Sequence, residues 1–325
     1  MKAAVRDRYG PPEVVRVEEV PTPVPTGDQV LVRVRAAGAN RADLDGLYPR
    51  WQFTRLLIGV RRPRVRGLGI DVAGVVEAVG EKVSRFKPGD RVFAELFWIG
   101  DGTFAEYTMA PEGALEATPD DLPDEVAAVL SHSGVLAMQS LRQGRRELGA
   151  GERLLVVGAS GNVGPYAVQI ARARGAHVTA VASGAKLDFV RSLGADEVID
   201  YQTADPTRPS ERYDWIVDVD AHQSLLSWRA ALKPGGVYVA LGGSGAWLLG
   251  LLLTMPALRL ATNKRMGLML GWKPMNRPDI NELLRLVKAG KLTPHIDRRY
   301  PLDEVVQALR FIDDGKARGK VLVVP

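Results

Sequence analysis

The sequence contains no cysteine among its 325 residues. This absence excludes disulfide bonds, a cysteine nucleophile, an iron–sulfur cluster and a zinc ion held by thiolates. Histidine is scarce as well, with four residues that lie far apart in the chain: His132, His177, His222 and His295. None of them is four residues from another, as two metal ligands on one helical face would be. The composition therefore predicts that no transition metal is tightly bound.

A strong excess of charge of one sign is also lacking. The 43 Lys and Arg residues exceed the 38 Asp and Glu residues by five, and the pI is near 9.4. So small an excess assists the approach of a phosphorylated cofactor but does not indicate nucleic-acid binding. An apolar signal sequence is not recognisable, because Lys2, Arg6, Asp7 and Arg8 are charged. We expect a cytoplasmic protein without a nucleic-acid partner.

One strongly apolar segment, residues 246–262, has some character of a membrane segment. It is short for a transmembrane helix, and Pro256 and Arg259 interrupt it. We favour a buried helix, a subunit contact or a wall of a ligand pocket. The alternative is a lipophilic patch on a membrane, with Lys264 and Arg265 near the headgroups. Membrane docking by this segment is not expected.

The first 120 residues have the pattern of short strands divided by turns. Residues 29–37 alternate between apolar and charged side chains, and residues 72–79 continue the β pattern. Further strands are predicted at residues 3–5, 14–20, 91–94 and 102–109. Many short strands without helical periodicity predict a small β-barrel or sandwich-like domain.

After residue 120, strands and helices alternate. A helix is predicted at residues 123–141. The predicted strands then lie at 153–157, 177–182, 197–199, 215–219 and 237–241, and the helices between them at 165–173, 186–193 and 224–232. This order is typical of an α/β fold with a doubly wound parallel sheet and right-handed crossovers. Helices at 280–289 and 302–312 and strands at 295–300 and 320–324 complete the prediction.

A glycine-containing turn follows the predicted strand at 153–157 and precedes a helix. Ala159 occupies the first position of a dinucleotide-binding fingerprint, and Gly161 and Gly164 occupy the other two. Gly161 allows a pyrophosphate to approach the backbone, and Gly164 allows the helix to pack near the sheet. Because the turn lies within a βαβ pattern, dinucleotide binding is favoured over a simple tight turn.

The end of the second strand of this sheet predicts which cofactor binds. An NAD site usually has an acidic residue about 20 residues after the fingerprint, where it accepts a hydrogen bond from the ribose. Here the strand ends in Ser183, followed by Gly184, Ala185 and Lys186. Ser183 and Lys186 suit a 2′-phosphate, so NADPH is the predicted cofactor. The alternative is that Lys186 is a solvated residue at the start of a helix and that the enzyme accepts both cofactors.

Several motifs in order resemble the zinc-free, quinone-oxidoreductase-like branch of the medium-chain dehydrogenase/reductase superfamily. The similarity extends over nearly the whole chain. The motifs are residues 9–14 (YGPPEV), 37–43 (AGANRAD), 69–76 (GIDVAGVV), 86–92 (FKPGDRV), 158–164 (GASGNVG), 193–201 (LGADEVIDY) and 317–321 (ARGKV). Zinc-bearing relatives have a Cys and a His-Glu pair in segments that here contain Asn40 and Asp71, in agreement with the absence of cysteine.

The resemblance implies a GroES-like β-barrel domain and a Rossmann domain. The first is predicted at residues 1–122 and 292–325, and the second at residues 123–291. A homodimer is expected. Carried over by position, the cofactor-binding residues are Ser160, Gly161, Asn162 and Val163 at the pyrophosphate, Ser183, Lys186 and Tyr201 at the 2′-phosphate, Leu241 and Gly242 beside the nicotinamide, and Lys320 at the phosphates. Leu136 replaces a Thr that usually lies beside the nicotinamide, which puts ordinary reductase activity in question.

Without a metal, hydrogen-bond donors must stabilise the substrate carbonyl, each by roughly 3 kcal/mol in a preorganised site. We predict that the Asn40 amide and the Tyr48 hydroxyl donate and that Asp43 orients one of them. Alternatively, Asn40 forms a turn and Tyr48 is a partly buried aromatic residue. No dedicated proton donor is recognisable, and His132 is a candidate whose alternative is a structural role.

The favoured function is NADPH-dependent reduction of a small lipophilic quinone or α,β-unsaturated carbonyl. Hydride addition to carbon suits such substrates, because solvent can supply the proton. A zinc-independent, NAD(P)-dependent alcohol dehydrogenase or carbonyl reductase is the second hypothesis. The third is a non-catalytic NADPH-binding sensor or structural protein. Residues 247–270 form an apolar candidate wall for the substrate but do not identify it.

Activity is predicted to need no metal, because the composition offers no thiolate and the histidines are dispersed. Metal analysis of the purified protein and assays after chelator treatment measure this. We expect unchanged turnover after chelation. Stoichiometric zinc whose removal abolishes turnover would refute the prediction.

Overall fold

The computed structural model describes residues 1–49, 54–97, 99–245, 247–248, 250–251, 264–269 and 271–325. These residues form two compact units. The first comprises Met1–His132, Pro274–Asn276 and Ile296–Pro325, and the second comprises Ser133–Lys273 and Arg277–His295. The sequence predicts domains at residues 1–122 with 292–325 and at residues 123–291. These limits differ from those of the two units and stay a prediction.

The secondary structure alternates between strands and helices along much of the chain. The strands are β1 (Lys2–Val5), β2 (Arg16–Glu19), β3 (Gln29–Ala39), β4 (Asp71–Val79), β5 (Arg91–Glu95), β6 (Tyr107–Pro111), β7 (Glu116–Ala117), β8 (Arg142–Gln143), β9 (Arg146–Glu147), β10 (Arg153–Val157), β11 (His177–Ala182), β12 (Glu197–Asp200), β13 (Tyr213–Asp218), β14 (Leu232–Ala240), β15 (Arg265–Leu268), β16 (Ile296–Pro301) and β17 (Lys320–Val324). The α-helices are α1 (Arg41–Leu47), α2 (Arg55–Ile58), α3 (Asp124–Ser140), α4 (Gly164–Ala173), α5 (Leu187–Ser192), α6 (Leu225–Ala231), α7 (Arg277–Lys288) and α8 (Val305–Asp313).

The first unit is built around β3, the long strand whose alternating pattern the sequence shows. Its strands follow the order β16-β17-β3-β4-β5-β7, and β6 also pairs with β3. β3 is antiparallel to β4, β6 and β17. Val30, Val32 and Val34 of β3 are buried in the core of this unit. Burial of an aliphatic side chain contributes about 1.5–3 kcal/mol, which explains why the apolar face faces inward.

Two short helices of the first unit, α1 and α2, are absent from the sequence-based prediction. α1 follows Asn40, whose backbone N–H donates to the Asp43 carboxylate at 2.7 Å. This pairing of a residue before a helix with an acidic side chain three positions later is an N-terminal capping arrangement. A seven-residue helix is too short to show a clear apolar period, so the pattern missed it.

Two predicted strands of the first unit are shorter than expected. The strand predicted at 14–20 begins at Arg16, because Pro12–Val14 form a 3₁₀ turn. The strand predicted at 102–109 begins at Tyr107. Gly102 has a φ of +106°, a conformation that side-chain-bearing residues rarely adopt and that a regular strand does not contain. The backbone therefore turns at this glycine before pairing with β3.

The second unit contains a parallel six-stranded sheet in the order β12-β11-β10-β13-β14-β15. The chain moves outward from β10 in one direction, returns, and moves outward from β13 in the other. This doubly wound order is that of a Rossmann sheet, and the mixed α/β class is confirmed. Leu155, Ile216 and Trp228 are fully buried in its core. The crevice for a ligand in such folds lies outside the carboxyl ends of the two strands where the order reverses, here β10 and β13.

Most of the apolar segment 246–262 lies outside the described residues, as does much of the candidate substrate wall at 247–270. Trp247 and Leu251 are described, and both are buried among core residues of the second unit. Trp247 donates from its indole nitrogen to the Gln223 carbonyl oxygen at 3.0 Å. Within the described ranges, no helix is long and apolar enough to cross a bilayer. That the whole segment packs against protein stays a prediction.

Candidate active site

The glycine-containing turn lies between β10 and α4, where the sequence predicts it. Gly158 has a φ of +76°, and the amide of Gly161 donates to the Gly158 carbonyl oxygen at 3.1 Å. Gly161 and Asn162 are half-buried at the surface of the turn, whereas Ser160 and Val163 are buried. The structure therefore places all four predicted pyrophosphate residues in one turn, directly before the N-terminus of α4.

Gly164 shows why this turn requires glycine at its last position. A Cβ atom on Gly164 would lie 2.4 Å from the Gly158 carbonyl oxygen and 2.5 Å from the Ala159 Cα. Both neighbours are backbone atoms and cannot move aside cheaply. The helix can consequently pack this close to the end of β10. An anionic pyrophosphate fits beside this helix end, because the positive end of the helix dipole favours negative charge.

The end of β11 carries the residues predicted for the 2′-phosphate. Ser183 precedes a 3₁₀ turn, Gly184–Lys186, and Lys186 is the last residue of that turn. Both side chains are half-buried. Tyr201, one residue beyond β12, is exposed. The structure also places a carboxylate here that the sequence analysis missed. A Cβ atom on Gly184 would lie 2.8 Å from the Asp200 Oδ2, because β11 and β12 are parallel neighbours that end together.

The ends of β13 and β14 lie beside the turn. The amide of Val219 donates to the Val157 carbonyl oxygen at 3.1 Å, and the amide of Leu241 donates to the Asp218 carbonyl oxygen at 2.9 Å. The Asp218 carboxylate is buried and accepts from the Tyr238 hydroxyl at 2.9 Å. Burial raises the pKa of Asp218 to about 6. Leu241 and Gly242 thus follow β14 at the same edge as the glycine-containing turn.

A nicotinamide dinucleotide fits this edge on the geometry of the chain alone. The residues that would hold it are the turn 160–163 for the pyrophosphate, Ser183 and Lys186 for the adenosine end, and Leu241 and Gly242 for the nicotinamide end. All of them belong to the second unit.

A second group of chemically active residues lies in the first unit. We call it the buried polar cluster, and it consists of Asn40, Asp43, Asp71, Glu95, Ser131, His132 and Lys320. Four members of the cluster lie at strand ends: Asn40 follows β3, Asp71 begins β4, Glu95 ends β5 and Lys320 begins β17. Antiparallel pairing brings these ends to one edge, since Asp71 is directly opposite Glu95 and Val321 is opposite Ala39.

Asp71 is the centre of the cluster. Its Oδ2 accepts from the Asn40 amide at 3.0 Å and from the Lys320 ammonium at 3.2 Å. Its Oδ1 accepts from the Ser131 hydroxyl at 2.9 Å and from the His132 backbone amide at 3.2 Å. Lys320 and Asp71 have no exposed surface. Two opposite charges with no exposed surface need such complete pairing, because loss of one partner costs about 3–5 kcal/mol.

Asn40 holds the ion pair from one side. Its amide nitrogen also donates to the Gly38 carbonyl oxygen at 3.1 Å, and its side-chain oxygen accepts from Lys320. The two amide hydrogens of Asn40 are therefore directed to Gly38 and Asp71. In the structure Asn40 contacts both members of the ion pair, Lys320 and Asp71, and its predicted role as a donor to the substrate carbonyl stays a prediction.

His132 and Glu95 form the other side of the cluster. The His132 Nδ1 and the Glu95 Oε1 are 2.9 Å apart, and the Phe97 ring stacks near the imidazole. Burial raises the pKa of Glu95. Burial alone would lower the pKa of His132, but the Glu95 carboxylate outweighs it and raises that pKa above its ordinary value. The pair therefore retains a proton more firmly than either group would in water.

Asp43 completes the cluster as a buried carboxyl group. One of its oxygens accepts from the Asn40 backbone, and the other, Oδ1, has no hydrogen-bond partner among the described residues. Burial raises the pKa of Asp43 to about 7, with a further contribution from the nearby Asp71 carboxylate. The raised pKa values of Asp43, Glu95 and His132 all favour bound protons within the cluster.

The structure also gives the contacts of two further predicted residues, Tyr48 and Lys320. Tyr48 follows α1 at the end opposite to Asn40, and its hydroxyl donates to Asp313. Burial and this hydrogen bond raise the pKa of Tyr48, so it is held as part of a surface contact that also includes Arg41. Lys320, predicted at the cofactor phosphates, donates to the Asp71 carboxylate inside the first unit, and its role at the phosphates stays a prediction. Asp43 contacts Asn40 and not Tyr48.

Glu95 and Ser131 are the residues of the cluster that the sequence analysis missed. Glu95 closes a buried strand, and Ser131 is part of an apolar helix segment. A charged residue at the end of an apolar strand, as Glu95 is, was the sequence signal that could have identified it as a site residue. No group of three or more acidic or histidine side chains within the described ranges has the arrangement of a metal site. Leu136 lies on α3 and is half-buried.

Comparison with known proteins gives consistent matches over the chain. Residues 26–120 match the alcohol dehydrogenase GroES-like domain, and residues 193–323 match the zinc-binding dehydrogenase model. The chain is 33% identical to the quinone-oxidoreductase homolog of spinach chloroplasts, which covers 97% of this chain and 95% of the relative. It is 32% identical to the NADPH-dependent alkenal/one oxidoreductase of Arabidopsis thaliana chloroplasts, over 100% of this chain and 80% of that protein.

A solved structure of similar fold comes from Coxiella burnetii. The quinone oxidoreductase of that organism matches with a TM-score of 0.87 and 27% identity, covering 100% of this chain and 99% of the other. The similarity is continuous over both units.

Substitution of Asp43 tests the protonation of the cluster. Because the pKa of Asp43 is about 7 in the folded protein and near 4 in the unfolded chain, the folded state binds a proton that the unfolded state releases between these values. The contribution of Asp43 to the free energy of unfolding of the wild type is therefore lost as the pH rises from about 4 to about 7. Asp43→Asn stays neutral, so its free energy of unfolding should rise relative to wild type by about 2 kcal/mol between pH 5 and pH 8.

Denaturant unfolding at both pH values measures this change. Asp45→Asn is the matched control, because Asp45 is a half-buried carboxylate on the same helix α1. Parallel pH dependence of Asp43→Asn and wild type would show that Asp43 is ionised throughout.

Proposed function

Since this chain belongs to the quinone-oxidoreductase-like branch of the medium-chain dehydrogenase/reductase superfamily, we propose that it reduces quinones or α,β-unsaturated carbonyls with NADPH. The chain is an NAD(P)H-dependent oxidoreductase. The substrate class of the proposal is supported by two of its relatives, a quinone oxidoreductase and an alkenal/one oxidoreductase.

The observation that carries the proposal is the turn between β10 and α4. Gly164 permits a helix approach that any side chain would block, and the turn lies where the strand order of the parallel sheet reverses. When bound, the nicotinamide cofactor supplies the hydride. In this proposal the turn at residues 160–163 binds the pyrophosphate, and the residues after β14 border the reactive ring.

The preference for NADPH is supported by the end of β11. Ser183 offers a hydroxyl donor and Lys186 a positive charge, and β11 itself does not end in a carboxylate. Asp200 opposes this preference, because its carboxylate lies against Gly184 and repels a 2′-phosphate. Selectivity in this proposal is the balance of Lys186 attraction over Asp200 repulsion.

The test of the function is steady-state oxidation of NADPH with a substrate panel. We expect turnover with 1,4-benzoquinone and with an aliphatic enone, and little or none with primary alcohols and NADP⁺. Gly164→Val is the control that removes the cofactor site, because a branched side chain has no space beside Gly158. Turnover with alcohols alone would favour the dehydrogenase hypothesis. Cofactor binding with no turnover on any substrate would favour the sensor.

Dissociation constants for NADPH and NADH measure cofactor choice. A charge-assisted contact contributes about 1.5–3 kcal/mol. Lys186→Ala should therefore weaken the binding of NADPH roughly tenfold to a hundredfold and leave the binding of NADH nearly unchanged. Ser183→Asp should reverse the preference, because a carboxylate repels the phosphate and accepts from a ribose hydroxyl.

Asp200→Asn should strengthen the binding of NADPH more than that of NADH, because it removes the repulsion of the 2′-phosphate and keeps a side chain of the same size. Asp188→Asn is its control, because Asp188 is a fully exposed carboxylate on the neighbouring helix α5. Equal affinities of the wild-type protein for both cofactors, or variants that weaken both alike, would show that these residues do not recognise the phosphate.

A further inference from the structure

The positive charge of the chain is concentrated in one segment. Residues 46–70 contain six arginines and no acidic residue. The net charge of the whole chain is +5, so this segment carries +6 and the rest of the chain carries −1. Such a segment can produce a local positive potential wherever its arginines are not paired with acidic side chains from other parts of the chain.

Exposed apolar side chains lie in the same segment. Leu56, Leu57, Val60 and Val65 have 67%, 63%, 61% and 42% of their surface exposed. Single exposed apolar residues are ordinary, but four within ten positions form a group. They alternate with Arg55, Arg61, Arg62, Arg64 and Arg66. We call residues 54–66 the arginine-rich loop.

The arginine-rich loop is held in shape by the first unit. The amide of Arg64 donates to the Ile58 carbonyl oxygen at 2.8 Å, which closes the chain between these residues. Gly59 turns the chain with a φ of +121°, and a Cβ atom there would lie 2.0 Å from the Arg62 carbonyl oxygen. The Tyr9 hydroxyl donates to the Gly59 carbonyl oxygen at 2.6 Å. The tip that presents Val60, Arg61 and Arg62 is therefore a closed turn.

The arginines at this tip form no ion pair with the acidic residues that the structure describes. Arg66 forms ion pairs with Asp7 and Glu18, and the Arg55 guanidinium lies 4.6 Å from the centre of the Tyr9 ring. Arg61, Arg62 and Arg64 are exposed and form no ion pair within the part of the chain that the structure describes. Positive charge is thus available beside exposed aliphatic side chains.

We propose that the arginine-rich loop docks the protein on the surface of an anionic lipid membrane. Guanidinium groups bind lipid phosphates and carboxylates, and Leu56, Leu57 and Val60 enter the boundary between headgroups and acyl chains. Aliphatic side chains favour lipid over nucleic acid, because single-stranded nucleic acid is usually bound by aromatic stacking. The sequence-based expectation against membrane docking rests on residues 246–262, whereas this proposal concerns a different segment of the chain.

Vesicle co-sedimentation of the full chain tests the proposal. Vesicles of phosphatidylcholine with phosphatidylserine are compared with pure phosphatidylcholine, at low and high salt and without substrate. We expect binding to the anionic vesicles alone, weakened by salt. Each arginine near such a surface contributes about fivefold in binding, so Arg61→Glu/Arg62→Glu should reduce it by about 25-fold or more. The test is independent of the proposed function, since no turnover is measured.

Matched controls separate the loop from general charge and hydrophobicity. Lys82→Glu/Lys87→Glu changes the net charge equally at exposed positions of the same unit and should leave binding within about twofold after allowance for net charge. Leu56→Ser/Leu57→Ser should reduce binding at least about tenfold, whereas Leu226→Ser, exposed on α6, should not. Thermal unfolding of each variant confirms that it is folded.

Four outcomes would overturn the proposal: no binding of the wild type to anionic vesicles, an equal loss in the lysine control, no effect of Leu56→Ser/Leu57→Ser, or equally tight binding to duplex DNA. If the leucine variant changes the oligomeric state and the wild type does not bind vesicles, the loop is an interface between copies of this chain.

Discussion

The buried ion pair between Lys320 and Asp71 is the interaction on which the first unit depends. It joins residues 249 positions apart in the sequence and lies where β3, β4, β5 and β17 end together. A lysine without exposed surface requires an acceptor for its charge, and Asp71 requires donors for both oxygens. Asn40, Ser131 and the backbone of His132 meet these requirements. The positions of α1 and of the first part of α3 follow from the same set of bonds.

Close packing makes this arrangement achievable. A Cβ atom on Gly38 would lie 2.5 Å from the Ala128 carbonyl oxygen and 3.1 Å from the Asp71 Cβ. Glycine at this position therefore lets α3 approach β3 closely enough for Ser131 to reach Asp71. The same principle operates in the second unit, where Gly164 lets α4 approach the end of β10. In both units a missing side chain determines where a polar group can be placed.

The second unit was predictable from the sequence to a greater degree than the first. Its strands are continuous apolar runs separated by helices, and the glycine-containing turn has a fixed local spacing. The buried polar cluster has no such spacing, because its members come from five separate parts of the chain. Asn40 and Asp71 stood out through the family resemblance, but their hydrogen bonds to Lys320 depend on strand register. Asp200 was missed because its proximity to Gly184 depends on two neighbouring strands ending together.

The proposed activity and the arginine-rich loop have a physical relation. Quinones and long-chain enones with lipophilic tails partition into bilayers, so an enzyme held at the membrane surface meets a higher substrate concentration than one in bulk water. The loop and the buried polar cluster belong to the same unit. Surface attachment and substrate chemistry are nevertheless separable, because the loop residues take no part in the hydrogen bonds of the cluster.

The pairing of β17 with β3 has a consequence for synthesis on the ribosome. Lys320 is translated long after Asp71, and at about 5–20 residues per second the interval is roughly 12 to 50 s. During that time one edge of β3 is without its final neighbour and the Asp71 carboxylate is without its countercharge. The second unit, whose sheet is encoded entirely within this interval, can fold first. The first unit, although β3 and β4 are translated early, therefore completes its native structure after the second unit.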